Sequence, residues 1–389
     1  MFIRLGRRVS AAVTVVALCF FSSPAGAANA STYNDPYAKQ VVDLMNSQRA
    51  AAGLPALRWN QAVSNISQDW SNHLATATNS PAFSFATIHR PDAGANEIPA
   101  GADWYREIIG FNFAPADVVD WWAGSSAHRD AMLSGCATDV GIGYTVPTSG
   151  PYAGFHLVVS NLAGYPDPGA VPVRNGAILS VWVAQGCAAG RLGAPVALEG
   201  PAANGGVSQS FQHGTVYWSP TSGAHTVWGG IRGEWGSQGF EAGRMGYPTS
   251  DEIPAANGGV YQNFMYGTIY WSPATGAHTV WGGIRGEWGS QGFEAGRMGY
   301  PTTDEIPAAN GGIRQAFQYG ALYWSPASGA HISWGGIRAA WGAQGYEAGP
   351  LGYPVTDEYT LGPGIVGQDY QGGRITWSAA TGTKVTLRS

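Results

Sequence analysis

The sequence predicts an α+β protein in two parts: one mixed domain followed by an array of four short α/β repeats. Three observations support this prediction. A segment recurs every 53 residues in the C-terminal half, where residues 229–249 return letter for letter as residues 282–302. Upstream, helical periodicity gives way to short strand-like runs. Residues 166–175 between the two parts carry three prolines and no periodicity, which is typical of a linker.

Composition excludes several classes of protein. Sixteen Trp and 18 Tyr in 389 residues require burial or use of a large aromatic surface, so a disordered chain is excluded. A net charge of −5 and a pI near 5.9 give no electrostatic attraction to nucleic acid or to an anionic membrane. We therefore expect no nucleic-acid partner.

The first 30 residues have the parts of a secretory signal peptide. Arg4, Arg7 and Arg8 precede an apolar stretch at 11–21 and a small-residue region at 24–30. About 11 apolar residues are too few to span a bilayer, and no later stretch is long enough, so we expect a secreted protein without a transmembrane segment. Removal of this signal leaves Cys136 and Cys187, which either form a disulfide or remain as two separate buried thiols.

The first domain is expected at residues 33–165. Helices are predicted to open at Asp35-Pro36, at Asn60 and at Pro115, and the third continues as far as Leu133. Residues 80–104 are expected to be irregular, and strands are predicted at 140–146 and 153–163. Helices followed by short strands indicate a single α+β domain.

Each repeat follows the same order of elements. In the second repeat, a short helix is predicted at 231–238 and strand-like pieces at 260–265, 268–272 and 277–281. The unit is therefore one helix and a two- or three-stranded meander. The array is expected at 176–389, with the following repeats: 176–228, 229–281, 282–334 and 335–389. Whether the four units close into a propeller-like ring or stack in a row stays open.

The phrase VVDWWAGSSAHRDAML at 118–133, followed by VGIGY at 140–144, resembles the CAP superfamily of secreted proteins in its bacterial form. Residues 106–109 look like the GENIA segment of that family, with Arg106 and Ile108 as departures. The resemblance covers residues 37–163. It implies an α-β-α sandwich with a cleft that holds two histidines and two acidic residues.

Carried over residue by residue, the cleft contains His89, Glu107 and His128, and its fourth position falls on Ser125, where many relatives place Glu. Two imidazoles and a carboxylate are a possible divalent-metal set, with Zn held by His89 and His128. The same groups could transfer protons, or form a Ser125–His128–Glu107 hydrolase. The hydrolase is disfavoured because no G-x-S-x-G turn is present and Ser125 is expected within a helix.

The repeats resemble the LGFP repeat, whose core reads LGAP, MGYP, MGYP and LGYP at 192–195, 245–248, 298–301 and 351–354. This resemblance implies retention at the bacterial cell wall, notably in mycolate-bearing envelopes. Tyr-Trp pairs with a nearby His offer flat apolar faces and hydrogen-bonding groups to sugar rings. The expected wall-binding residues are Tyr217, Trp218, His225, Tyr270, Trp271, His278, Tyr323, Trp324 and His331.

Three functional interpretations remain. In the first, a CAP cleft of unproven activity binds a lipid or other small ligand and is tethered to a cell-wall polysaccharide or glycolipid by the repeats. In the second, the cleft is a wall, ester or peptide hydrolase assisted by a metal. In the third, the protein is a structural or adhesion component of the envelope.

Overall fold

The computed structural model describes residues 33, 35–91, 101–102, 104–166, 170–173 and 176–388. The predicted signal peptide at 1–30 lies outside the described residues. Contacts divide the chain into two compact units, and the second unit begins at Glu199. Within the described ranges, no helix is both long enough and apolar enough to cross a membrane.

The first unit contains five helices and one four-stranded sheet among its described residues. The helices are α1 Pro36–Ala51, α2 Gln61–Ala77, α3 Pro115–Gly124, α4 Ser126–Met132 and α5 Ala177–Ala184. The strands are β1 Arg58–Trp59, β2 Trp104–Phe111, β3 Asp139–Thr145 and β4 Leu157–Gly164. The sheet order is β1-β3-β4-β2, with β1 parallel to β3 and the other neighbours antiparallel.

Helices cover both faces of this sheet. Successive residues of a strand point to opposite faces. Ile108 of β2 accordingly joins a core with α1 and α3, whereas Ile109 joins a core with Trp70 and Leu74 of α2. The first unit is therefore the α-β-α sandwich that the sequence resemblance implied.

The structure corrects two details of the predicted elements. The helix expected from Pro115 to Leu133 is two helices, because Ser125 has extended angles (φ −99°, ψ 123°). Its N–H closes α3 on the carbonyls of Trp121 and Trp122, and its carbonyl accepts the first bond of α4 from Arg129. Strand β2 lies in a stretch for which no strand was predicted.

Helix α5 belongs to the first unit, although the sequence assigned it to the first repeat. Trp182 and Val183 of this helix pack against the core that contains Cys136 and Cys187. These two cysteines are joined by a disulfide within the first unit. The proposed linker at 166–175 is described only in part.

The second unit consists of four antiparallel sheets of four strands each. The first sheet comprises β5 Gly200–Pro201, β6 Val207–Phe211, β7 Gly214–Ser219 and β8 Gly223–Val227. The second sheet comprises β9 Ile253–Pro254, β10 Val260–Phe264, β11 Gly267–Ser272 and β12 Gly276–Val280. The third sheet comprises β13 Ile306–Pro307, β14 Ile313–Phe317, β15 Gly320–Ser325 and β16 Gly329–Trp334. The fourth sheet comprises β17 Tyr359–Gly362, β18 Ile365–Tyr370, β19 Gly373–Ser378 and β20 Gly382–Leu387.

Three helices alternate with these sheets: α6 Gly229–Ser237, α7 Gly282–Ser290 and α8 Gly335–Ala343. Trp235 of α6 is fully buried, 4.7 Å from Tyr217 of the first sheet and 5.3 Å from Phe264 of the second, between ring centroids. Each helix thus fills the space between two successive sheets. The described residues form no closed ring. Each sheet has four strands, more than the two or three predicted. In three of the sheets the additional edge strand is only two residues long.

Candidate functional site

Strand β2 places the Glu107 carboxylate inside the first unit, where the residue is 1% exposed. The His89 imidazole approaches it with Nδ1 3.0 Å from Oε1, and the backbone N–H of Arg90 donates to the same oxygen at 3.2 Å. These contacts bring together two residues that lie 18 positions apart in the sequence. The His89 side chain remains 45% exposed. A half-exposed imidazole therefore connects solvent to a buried carboxylate.

The segment that carries His89 is held against helix α2. The Arg90 guanidinium donates to Asp69 at 2.6 Å and lies 5.1 Å from the centre of the Trp70 ring. Trp70 in turn donates its Nε1–H to the carbonyl of Ile88 at 3.0 Å. The sequence analysis did not identify these anchoring residues, although Arg90 follows His89 directly.

The second carboxylate oxygen of Glu107, Oε2, is buried and has no hydrogen-bond partner among the described residues. A buried charged acceptor without a donor costs free energy, typically about 1–3 kcal/mol or more. A donor supplied from outside the chain would recover that cost. This oxygen is the clearest unmet interaction of the site.

A second pair of polar side chains lies at the junction of α3 and α4. Ser125 Oγ is 2.8 Å from His128 Nδ1, and the His128 ring lies 4.7 Å from the exposed Trp121 ring, between centroids. Trp121 also stacks on Phe113 at 5.4 Å. Sequence reasoning placed Ser125 and His128 on one helix face, whereas the contact is made from the residue that precedes α4.

The two pairs influence each other through charge. Burial lowers the pKa of His128 below its ordinary value of 6.5, and the charge of His89 lowers this pKa further. The described contacts pair His89 with Glu107 and Ser125 with His128. That all four residues form one cleft stays a prediction. Glu107 contacts His89 and not His128, however, so the Ser125–His128–Glu107 triad is not assembled in that order.

The site offers no preformed metal-ligand set. Nowhere in the described part of the chain do three or more His, Cys, Asp or Glu side chains converge in a way that could hold a metal ion. His89 directs Nδ1 to Glu107 and His128 directs Nδ1 to Ser125, so each imidazole keeps Nε2 as the nitrogen that a metal would bind. Zinc binding by His89 and His128 therefore stays a prediction from the sequence.

The structure separates the nine expected wall-binding residues by burial. Tyr217, Tyr270 and Tyr323 are core residues, at most 7% exposed, and this burial removes them as ligand contacts. Their rings pack edge-on against the helix tryptophans, as Tyr270 does on Trp288 at 4.6 Å between centroids. The tryptophans of the same pairs are half-buried: Trp218, Trp271 and Trp324.

The three histidines of the array make internal contacts. His278 Nδ1 lies 3.3 Å from Asp304, and its Nε2 lies 3.1 Å from the carbonyl of Thr275. The same pattern holds for His331 with Asp357 at 3.2 Å, and His225 lies 3.6 Å from Asp251. These histidines join successive parts of the array, which is a structural role.

Comparisons with known families match both parts of the chain. The model of the Cysteine-rich secretory protein family, CAP, matches residues 42–162. The LGFP repeat model matches four times, at 192–243, 245–296, 298–349 and 351–388. No curated protein matches the chain.

Solved structures also resemble it. An outer surface protein of Borrelia burgdorferi is 16% identical over 33% of this chain and 92% of its own, with a TM-score of 0.26. An extracellular SCP-domain protein of Bacillus anthracis is 18% identical over 37% and 45%, with a TM-score of 0.26. A cysteine-rich secretory protein of Staphylococcus aureus is 19% identical over 34% and 40%, with a TM-score of 0.25. The chain spans less than half of the last two, and likenesses this weak give no information on activity.

Proposed function

We propose a function from one premise: this chain carries a CAP domain followed by four LGFP repeats, a combination that belongs to extracellular, cell-surface-associated proteins. In this proposal, the CAP cleft binds a small ligand that has a hydrogen-bond donor and an apolar part. The LGFP array holds the protein at the cell wall. The chain then acts as a wall-tethered binding protein.

The observation that supports the cleft proposal is the buried, unpartnered Oε2 of Glu107. A ligand hydroxyl or ammonium would give this oxygen the donor that the described residues do not supply. His89 is half-exposed beside it, and Trp121 is 44% exposed next to His128. An alcohol with an alkyl chain, such as a lipid or a sterol, matches a carboxylate next to an exposed aromatic ring.

The cleft is tested with the full chain and two probes, 1-decanol and decanoate, with tryptophan fluorescence as the readout. We expect decanol to bind and decanoate to bind more weakly, because a carboxylate cannot donate to Glu107 and is repelled by it. Glu107→Gln is expected to weaken decanol binding about tenfold, the effect of losing one hydrogen bond to a charged group. Asp117→Asn, a change on the exposed face of α3, serves as the matched control.

Equal affinity of wild type and Glu107→Gln for decanol would contradict the cleft proposal. Turnover of an ester by the wild type, lost in both Ser125→Ala and His128→Ala, would replace it with the hydrolase interpretation. The 2.8 Å contact of Ser125 with His128 is the observation that keeps that outcome in the test.

The tether is tested by sedimentation of the full chain with purified mycolate-bearing cell walls. Because a net charge of −5 gives no general attraction to an anionic wall, we expect the protein to pellet at low salt through specific sites. Soluble wall polysaccharide is expected to compete. A folded protein that stays in the supernatant would contradict the tether.

A further inference from the structure

An open groove of about 540 Å³ lies on the third sheet of the array. We call it the third-sheet groove. Phe317 and Tyr319 line it from the β14–β15 turn, Arg338 lines it from helix α8, and Tyr346 lines it from the turn after α8. The Tyr319 side chain is 65% exposed. An aromatic ring and a cation therefore border one open depression.

The array itself supplies a comparison for this groove, since equivalent residues recur every 53 positions. In the first sheet, Arg232 donates its Nε–H to the Thr215 hydroxyl at 3.1 Å. In the second sheet, Arg285 donates to Thr268 at 2.9 Å. These two arginines are held by an acceptor inside their own repeat.

The third sheet lacks this acceptor. Ala321 occupies the position of this threonine in the third sheet. It pairs with Ser333 on β16, just as Thr268 pairs with Val280 on β12 in the second sheet. The Nε of Arg338 is buried, and no described residue accepts its hydrogen. One threonine-to-alanine difference between repeats has thus removed the acceptor of the Arg338 Nε–H, while the guanidinium still interacts with the Tyr323 hydroxyl.

The aromatic neighbour of the arginine also differs. Arg232 and Arg285 lie over Phe240 and Phe293 at 5.5 and 5.7 Å, whereas Arg338 lies over Tyr346 at 5.5 Å. The third-sheet groove therefore gains a phenol hydroxyl. None of the described residues that line it is Asp or Glu, so the lining contributes no negative charge against Arg338.

We infer that the third-sheet groove binds an anionic saccharide, a sugar ring that carries a carboxylate or a phosphate. Guanidinium groups recognise both anions through paired N–H donors, and tyrosine rings pack against the apolar face of a sugar. The inference deepens the proposed association with the cell wall and rests on it for its biological setting. It names the chemistry of one attachment point and assigns that point to one repeat.

The test uses the full chain and three probes in isothermal titration: glucuronic acid, glucose 1-phosphate and glucose. We expect at least one anionic probe to bind about tenfold more tightly than glucose, the effect of one charge-assisted hydrogen bond. Preference for glucuronic acid identifies a carboxylate, and preference for glucose 1-phosphate identifies a phosphate. Arg338→Met and Ala321→Thr are each expected to remove this preference.

Two variants make the test specific. Ala321→Thr introduces a residue that the first two repeats already carry, so it leaves the fold intact and returns an acceptor to the arginine. Arg285→Met removes the corresponding arginine of the second repeat and is expected to leave affinity unchanged. Unchanged binding in Ala321→Thr and Arg338→Met, or an equal loss in Arg285→Met, would overturn the inference.

The outcome is separable from that of the proposed tether. Wild type that pellets with cell walls but shows no preference for either anionic probe contradicts only the groove. Wild type that fails to pellet contradicts the tether whatever the titrations show.

Discussion

At the scale of single residues, Arg49 is the most unusual side chain of the first unit. It is 1% exposed and donates to four backbone carbonyls, those of Pro55, Met132, Ser134 and Ala137, at 2.8–3.1 Å. Burial lowers the pKa of its guanidinium to about 10. One of these carbonyls ends α4, at Met132, and two belong to the chain between α4 and β3, at Ser134 and Ala137. Arg49 therefore fixes the end of the helix that carries His128.

We expect Arg49→Met to lower the free energy of unfolding of the first unit by about 3 kcal/mol or more, because four carbonyls lose their donor in a buried place. Chemical denaturation followed by near-UV circular dichroism measures the change. Lys39→Met is the matched control, since Lys39 and its partner Asp43, on the same helix as Arg49, are both half-exposed. Such an exposed pair contributes less than about 1 kcal/mol. Equal losses in both variants would contradict this role of Arg49.

His128 gives a prediction for acid conditions. Burial and the nearby His89 lower its pKa in the folded protein, so the unfolded chain takes up the proton first as pH falls. The contribution of His128 to stability is present above 6.5 and is lost as pH falls through the folded pKa. We expect NMR titration to give a pKa below 6.5. His89→Gln should raise it only in part, because burial is the larger cause. A pKa at or above 6.5 would contradict this account of the site.

At the scale of elements, the LGYP motif explains how each helix joins the array. Gly246 adopts a positive φ of 67°, which favours glycine, and its carbonyl accepts the Trp235 Nε1–H at 3.1 Å. The next residue, Tyr247, is 2% exposed and donates its hydroxyl to the carbonyl of Ala203, in the turn between β5 and β6. The same contacts recur in the later repeats. The motif is thus a turn that holds the helix tryptophan through its glycine and the preceding repeat through its tyrosine.

A buried glutamine joins each sheet to the preceding one. Gln315 of the third sheet is fully buried and donates to the carbonyls of Thr279 in the second sheet and Thr303, both at 2.8 Å. We expect Gln315→Leu to lower the unfolding free energy of the array by about 2 kcal/mol or more, because two buried carbonyls lose their donor. Gln238→Leu is the control, since that amide donates to Glu234 within one helical turn and, among the described residues, to no neighbouring sheet. Urea denaturation that gave equal midpoints for the two variants would contradict the prediction.

The sequence predicts an element well where neighbouring residues mark its ends, and poorly where contacts with distant parts of the chain determine it. The helix expected at 231–238 is observed as Gly229–Ser237, since glycines and tryptophan spacing mark its ends. Strand β2 was not predicted because its residues are buried on both faces and lack alternation. The break at Ser125 was missed because helical periodicity continues across it. The pairing of His89 with Glu107 came from the family resemblance, and no local signal indicated it.

At the scale of the molecule, the array is a set of nearest-neighbour contacts. Each buried tryptophan touches the sheets on either side, and each buried glutamine joins a sheet to the one before it. Such arrays derive their stability from the interfaces between units. A charge shared across an interface therefore affects the whole array, and His278 and His331 lie at such positions.

These two histidines and their carboxylates predict that the array loses stability as pH rises past neutrality. Burial alone lowers the pKa of His278, but the hydrogen bond and charge of Asp304 outweigh it and raise this pKa above 6.5. Asp357 does the same for His331. A histidine with a raised pKa stabilises the fold fully below 6.5, and this contribution is lost as pH rises through the folded value.

The pKa of Glu234 and of Glu287 is also raised, first by burial and then by contact with Asp304 and Asp357 respectively, so these groups act in the same direction. We expect urea denaturation of the full chain to show a transition of the array whose midpoint falls between pH 6 and pH 8. The double variant His278→Gln, His331→Gln should flatten that dependence, because glutamine keeps a donor for the aspartate but does not titrate. A midpoint that falls equally in wild type and double variant would show that the two histidines do not control the stability of the array.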